Sequence, residues 1–258
     1  QWATAKEEFE KVPYKSLTTA DRERYDVRMG YIAFLSGKYG DALAFFNRVE
    51  RGGAAYDHAL YYTSYIHYQQ GDIERAYKGF AALKNSEIYS GLIPFYLLQL
   101  EFDRGNYKYV VDNCDALLSK AADSERSSIL RLAAEAWFRL EGYSRALAYI
   151  TTYAKEAGGK MSREDNYLLG YTTYRTADYA GAVAPLKAVC TGTDNLAQNA
   201  SYHLADCYVR LGDKKNAIHA FALAADERFN NEISEDALFN YGKLLFETGG
   251  GLFNESIN

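Results

Sequence analysis

Between residues 57 and 84 the polar and apolar positions fall into two helical stretches divided by one turn. Asp57 to Gln70 contains neither glycine nor proline and predicts a first helix. Gly71 ends it, as glycine does where a helix closes in the left-handed conformation. Asp72 is placed to cap the next helix, and Ile73 to Lys84 predicts that second helix with Ala76, Tyr77, Phe80 and Leu83 on one apolar face. The pattern then recurs along the chain. Its turn reads GKYGDA at 37–42, GDIERA at 71–76, GNYKYV at 105–110, EGYSRA at 141–146, ADYAGA at 177–182 and GDKKNA at 212–217, with starts 34, 34, 36, 36 and 35 residues apart. A fixed period of this size predicts stacked helix pairs, each burying its apolar face on its neighbours.

Within each period the sizes of three positions are correlated. A small residue stands seven places before the turn (Gly30, Ser64, Ala134, Gly170, Ala205) and another five places after it (Ala42, Ala76, Ala146, Ala182, Ala217). Together they let the two helices approach closely. Four places further on a bulky side chain wedges the pair: Phe46, Phe80, Ile150, Leu186 and Phe221. The repeat beginning near Ile88 breaks the rule, with Leu98 and Val110 at the small positions and Cys114 at the wedge. Two enlargements beside one reduction predict a conserved volume, as a close-packed interior demands.

These turns, small positions and wedges resemble the tetratricopeptide repeat over essentially the whole chain. The resemblance implies an all-α, right-handed α-solenoid of antiparallel helix pairs, with about six full units at 22–53, 57–84, 88–121, 124–157, 162–191 and 195–228. No unit ends with the proline common in that family. Partial units are expected at both ends. Residues 1–12 have the spacing of a second helix, with Ala5 and Phe9 where alanine and wedge belong, and 232–258 open another unit with Gly242 in the small position. Neither end has the polar face of a terminal cap, so the chain is expected to be a segment of a longer array that self-associates through its cut ends. The turns and the Tyr-rich first helices resemble bacterial envelope repeat proteins of the TolA-binding and outer-membrane-assembly lipoprotein type, which implies a bacterial, periplasmic location.

Composition narrows the partners. The chain of 258 residues is 48% hydrophobic and 24% charged, enough for a packed core, and its three prolines suit a helical chain. A net charge of −5 gives no basic footprint for nucleic acid. No apolar run reaches the roughly 18 residues that span a bilayer, so this segment is not expected to insert in a membrane. Cys114, Cys190 and Cys207 are odd in number and form no CxxC pair; Cys114 and Cys207 fall on positions facing neighbouring helices.

The resemblance also implies that first helices line a concave groove. On the helix at 57–70 a second stripe, Tyr61, Tyr65 and Tyr68, runs beside the packing face, and Tyr167, Tyr171 and Tyr174 repeat it. Equivalent places add Tyr31 and Phe34 after Val27, then Phe95 and Phe102, Arg131 and Phe138, and Tyr202, with Arg139, Arg175 and Arg210 beside them. Tyrosine and arginine supply contact area and hydrogen bonds to protein partners at modest entropic cost. Part of the row must also pack between neighbouring first helices. The Lys and Asn clamp by which some tetratricopeptide repeats hold a C-terminal carboxylate is replaced here by Val27 and Tyr31, then Tyr61 and Tyr65.

Catalytic chemistry is not expected. His203 and Cys207 share a helical face, but two ligands are too few for a structural zinc site, and a buried thiol beside a surface histidine is the simpler reading. The stretch from Gly158 to Ser162 lacks the spacing of a phosphate loop and predicts a turn between repeats. Acidic pairs such as Glu7-Glu8 and Glu164-Asp165 fit helix starts or solvated faces. The sequence thus predicts a non-catalytic scaffold, without cofactor or metal, that holds a peptide or partner protein in an aromatic-lined groove. The alternative is a structural spacer that self-assembles.

Overall fold

The computed structural model describes residues 2–53, 55–158, 160–226 and 228–249, with Trp2, Ala3 and Ala5 described by their backbone alone. All regular structure among them is helical: α1 (Trp2–Glu10), α2 (Thr19–Leu35), α3 (Tyr39–Phe46), α4 (Tyr56–Gln69), α5 (Ile73–Ala82), α6 (Ile93–Asp103), α7 (Tyr107–Leu118), α8 (Asp123–Arg139), α9 (Tyr143–Glu156), α10 (Arg163–Arg175), α11 (Tyr179–Val189), α12 (Asn195–Arg210), α13 (Lys214–Asp226) and α14 (Asn231–Glu247), with a 3-10 turn at Tyr14–Ser16. The chain forms two compact units, Gln1–Tyr109 and Val110–Asn258. In the first, α2 pairs with α3 and α4 with α5, and α6 packs on α5. In the second, α8 pairs with α9, α10 with α11 and α12 with α13, and α14 packs on α13. First helices of successive pairs also touch one another, α2 with α4, α8 with α10, α10 with α12 and α12 with α14.

The turn inside each pair is set by one residue in the left-handed region. Gly37, Gly71, Gly105 and Gly212 have φ between 71° and 77°, and Glu141 and Ala177 reach 58° and 64° without being glycine. A left-handed L-residue costs of the order of 1–2 kcal/mol, so these two turns are held by the packing on either side. Side-chain caps then start the second helices: Asp72 accepts from the Arg75 N–H and Asp178 from the Gly181 N–H.

The small-and-wedge rule holds in three dimensions. All five alanines after the turn are fully buried, and the wedges Phe46, Phe80, Ile150, Leu186 and Phe221 are at most 3% exposed. At Gly30 a Cβ would collide with the Phe46 ring, and at Gly170 it would come within 2.7 Å of Leu186 Cγ. Ser64 fits its larger side chain because Gly79 faces it.

The irregular repeat is irregular in backbone too. Its first helix starts at Ile93, with Pro94 in its first turn, rather than near Ile88. The intervening turn is anchored by buried Ser86, which donates to Asp57 at 2.5 Å and accepts from the N–H groups of Ile88 and Tyr89. Leu98, Val110 and Cys114 are all fully buried. At the undersized wedge, the Tyr149 hydroxyl lies 3.4 Å from the Cys114 Sγ and donates to Asp115 at 2.5 Å.

At the N-terminal side, α1 packs on α2. Phe9 meets Tyr25 edge-on at 5.9 Å, while Ala5's side chain lies outside the described residues. At the other end Gly249 opens a left-handed turn after α14, and the second helix expected beyond it lies outside the described residues.

Candidate functional site

In the first unit the aromatic stripe is the edge of a larger cluster. Tyr61 stacks on Tyr89 at 4.3 Å, meets the Phe80 wedge edge-on at 5.9 Å, and its hydroxyl lies 3.0 Å from that of Tyr96. Tyr96 in turn stacks on Phe80 at 4.5 Å and touches Tyr65, Tyr68 and Phe95. Tyr31 and Phe34 lie 5.0 and 5.3 Å from Tyr62. Burial, then the neighbouring Tyr31 and Tyr61 and a hydrogen bond donated to Tyr31, push the Tyr62 hydroxyl up to about 12. Phe102 meets Tyr107 edge-on at 5.3 Å.

The rings of Tyr65 and Tyr68 are half-buried, and among the described residues no hydrogen bond reaches either hydroxyl. Burial, with the nearby Asp103 carboxylate second, raises the pKa of Tyr68, so its hydroxyl stays protonated and able to donate. These two are the rings that the cluster leaves with free polar ends.

In the second unit the predicted residues divide differently. Phe138 packs edge-on against Tyr143 at 6.0 Å and Tyr171 at 5.5 Å, and Tyr167 stacks on Tyr171 at 5.7 Å. The Arg175 guanidinium lies 4.1 Å from the Tyr143 ring centre and donates to the hydroxyls of Tyr143 and Tyr171, each at 3.0 Å. His203 sits among Tyr171, Tyr174 and Tyr202, with ring centres 4.7, 5.1 and 5.6 Å away. It is not the surface histidine the sequence implied: its Nδ1 is buried with no hydrogen-bond partner, and burial lowers its pKa to about 4, so the ring is neutral.

Several predicted site residues instead form rungs one repeat apart. Arg131 donates to Asp165 at 2.7 Å, Tyr174 donates to Asp206 at 2.7 Å, and Tyr202 donates to Asp236. Arg210 pairs with Asp206 at 2.9 Å and Arg139 with Glu135 at 3.2 Å, both along their own helices. Asp165 stands at a helix start, as its pair with Glu164 implied, and is only 4% exposed there, closing a capping box with Ser162 and accepting from Tyr153 at 3.2 Å. Burial would raise its pKa, yet the bonds from Arg131 and Ser162 hold it below the usual carboxylate range.

Sequence patterning does not single out Tyr62, Tyr96 or Tyr143, and it marks Asp165 only as a helix-start acid. A signal for Tyr96 exists, since it stands one period, 35 residues, after Tyr61. The rungs carry a weaker signal, because their acceptor is Asp each time but the donor changes between Arg and Tyr. Cys114 and Cys207 are buried free thiols and Cys190 is half-buried; burial pushes the Cys207 thiol up to about 12, leaving it protonated. Among the described residues no group of three or more His, Cys, Asp or Glu could hold a metal ion, and no helix is long and apolar enough to cross a membrane.

Residues 199–227, which comprise most of α12 and all of α13, match the family model of the tetratricopeptide repeat. The chain has the tetratricopeptide-repeat fold. Solved structures agree at low sequence identity. The C-terminal part of a tetratricopeptide-repeat protein from Cytophaga hutchinsonii superposes with a TM-score of 0.60 at 14% identity, over 92% of this chain and 94% of that one. A tetratricopeptide repeat protein from Parabacteroides merdae gives 0.54 at 13% identity, over 88% and 87%. Pseudomonas aeruginosa PilF gives 0.56 at 10%, over 84% and 97%. No curated protein sequence matches the chain significantly. In tetratricopeptide terms, the small positions and wedges belong to the scaffold, whereas Tyr65, Tyr68 and the Phe138–Tyr171 cluster lie on its first helices.

Proposed function

We propose that the protein is a non-catalytic interaction scaffold whose first helices hold a peptide or partner protein against their aromatic faces. One observation carries this reading: Tyr65 and Tyr68 present half-buried rings whose hydroxyls have no partner among the described residues. Buried or half-buried tyrosines normally find a hydrogen-bond partner, and those at interfaces find it across the interface. Tyr174 and Tyr202, bound to Asp206 and Asp236, contribute to the scaffold rather than to capture.

Replacing both hydroxyls tests the reading without touching the packing. The Tyr65→Phe/Tyr68→Phe protein should melt like the wild type, yet bind its partners about 5- to 10-fold more weakly for each hydrogen bond lost. Identical capture profiles for the two proteins, in a quantitative pull-down from source-cell lysate, would remove these residues from the binding face.

A second reading, self-assembly through further stacking, draws on α14. Its outer side exposes Leu238, Phe239 and Phe246 at 55%, 69% and 74%. Sedimentation that stays monomeric at high concentration would exclude it.

A further inference from the structure

Two acids on the buried side of α2 differ in how they are satisfied. Asp26, 1% exposed, accepts from the Tyr14 hydroxyl at 2.7 Å and faces Arg48 at 3.5 Å. Glu23, one turn earlier and 8% exposed, has no hydrogen bond and no ion pair among the described residues. Its carboxylate lies against Gly53, where a Cβ would collide with it, and it opens into a cavity of about 410 Å³ between α2 and the start of α4. That volume lies in the range of clefts that take small ligands, roughly 300–1,000 Å³. Val27, Tyr31, His58 and Tyr62 line the same cavity.

With no donor or counter-charge among the described residues, the Glu23 carboxylate is left to the solvent in the cavity, and a cation arriving from outside would pair with it. The nearby cations of the chain do not fill that role. Arg24 faces Asp21 at 3.7 Å and the Arg28 guanidinium lies over the Phe9 ring at 5.7 Å; neither is within ion-pair reach of Glu23. His58 is engaged through Nδ1 with the Tyr89 hydroxyl at 2.8 Å. Beside the acid, Tyr31 and Tyr62 line the cavity, and aromatic rings attract an ammonium or guanidinium group.

We propose that this cavity receives a lysine or arginine side chain of the protein partner. The cationic head meets the Glu23 carboxylate and the methylene stem lies along Tyr31 and Tyr62. Arg24 and Arg28, at the same cavity, then favour a partner in which the basic residue is flanked by acidic ones. The assignment rests on the scaffold reading and names the chemistry of one of its contacts.

Fragments test it directly. n-Butylammonium and n-butylguanidinium chlorides, titrated into the whole protein and followed by NMR, should give saturable shifts confined to residues 20–31 and 55–62. 1-Butanol and sodium butyrate should not. In Glu23→Gln, which keeps shape and loses charge, both cations should bind at least about tenfold more weakly. Equal response to butanol or butyrate, absence of saturable shifts, or unaltered cation binding in a folded Glu23→Gln protein would each overturn the assignment. If the fragments fail while Tyr65→Phe/Tyr68→Phe still impairs capture, the scaffold reading stands and the cavity's role falls. Because the fragment comparison is also made on the wild type, the test does not depend on the variant folding.

Discussion

His203 shows how a single buried side chain ties the array's stability to pH. Its ring lies among three aromatic neighbours, and its pKa of about 4 is set first by burial, with Asp206 raising and Arg175 lowering it. The folded value is below that of the unfolded chain, near 6.5. Between those two values the unfolded state takes up a proton that the native state refuses, so stability falls as pH drops from about 6.5 to 4. The loss is of the order of 3 kcal/mol at full depression. Chemical denaturation at pH 7 and pH 4.5 should show this decline in the wild type and a smaller one in His203→Phe. His67, whose pKa burial also lowers, contributes with the same sign and remains in both proteins. Parallel decline in the two would mean that His203 is hydrated in the native state.

At the level of the helix pair, volume is the controlling quantity. Cys114 occupies a fully buried wedge position, and the Tyr149 hydroxyl already lies 3.4 Å from its sulfur. Restoring an aromatic wedge there, beside buried Val110 and the Tyr149 hydroxyl, should overpack the site. Cys114→Phe should therefore cost about 1–3 kcal/mol and lower Tm, measured by thermal denaturation. An unchanged Tm would show that the site is not packed as tightly as this implies. This apolar grammar is readable from one sequence because every pair must solve the same packing problem with the same three positions. The polar rungs are less so. Arg131–Asp165 and Tyr174–Asp206 join residues 34 and 32 apart with Asp as the acceptor each time but a different donor, so only one side of the rung recurs. Glu23 is also hidden. In the run DRERYD it reads as one more solvated charge, and its burial comes from Gly53 at the entry to the next helix pair.

For the molecule as a whole, the energetics of a repeat array are local: each unit is stabilised by itself and by its neighbours. Gly30→Leu should displace the Phe46 wedge and open α2 to α5 of the first unit. Hydrogen exchange should then lose protection over residues 19–82 while α10 to α13 keep theirs. Uniform loss across both units would show that the array unfolds as one cooperative body. The sequence conveyed the fold more fully than the site, because packing recurs at every period whereas the proposed capture would rest on the few side chains that packing leaves free.

The left-handed turns also make the molecule addressable. At Gly37, Gly71, Gly105 and Gly212 nothing lies within 4 Å of where a side chain would begin, so each has open space beside its backbone. A fluorophore coupled at the exposed residue just before each of these glycines (Ser36, Gln70, Arg104 or Leu211) leaves the length of the turn unchanged. Four such stations, spaced 34, 34 and 107 residues apart, would let energy transfer report where along the chain a bound partner starts and where it stops.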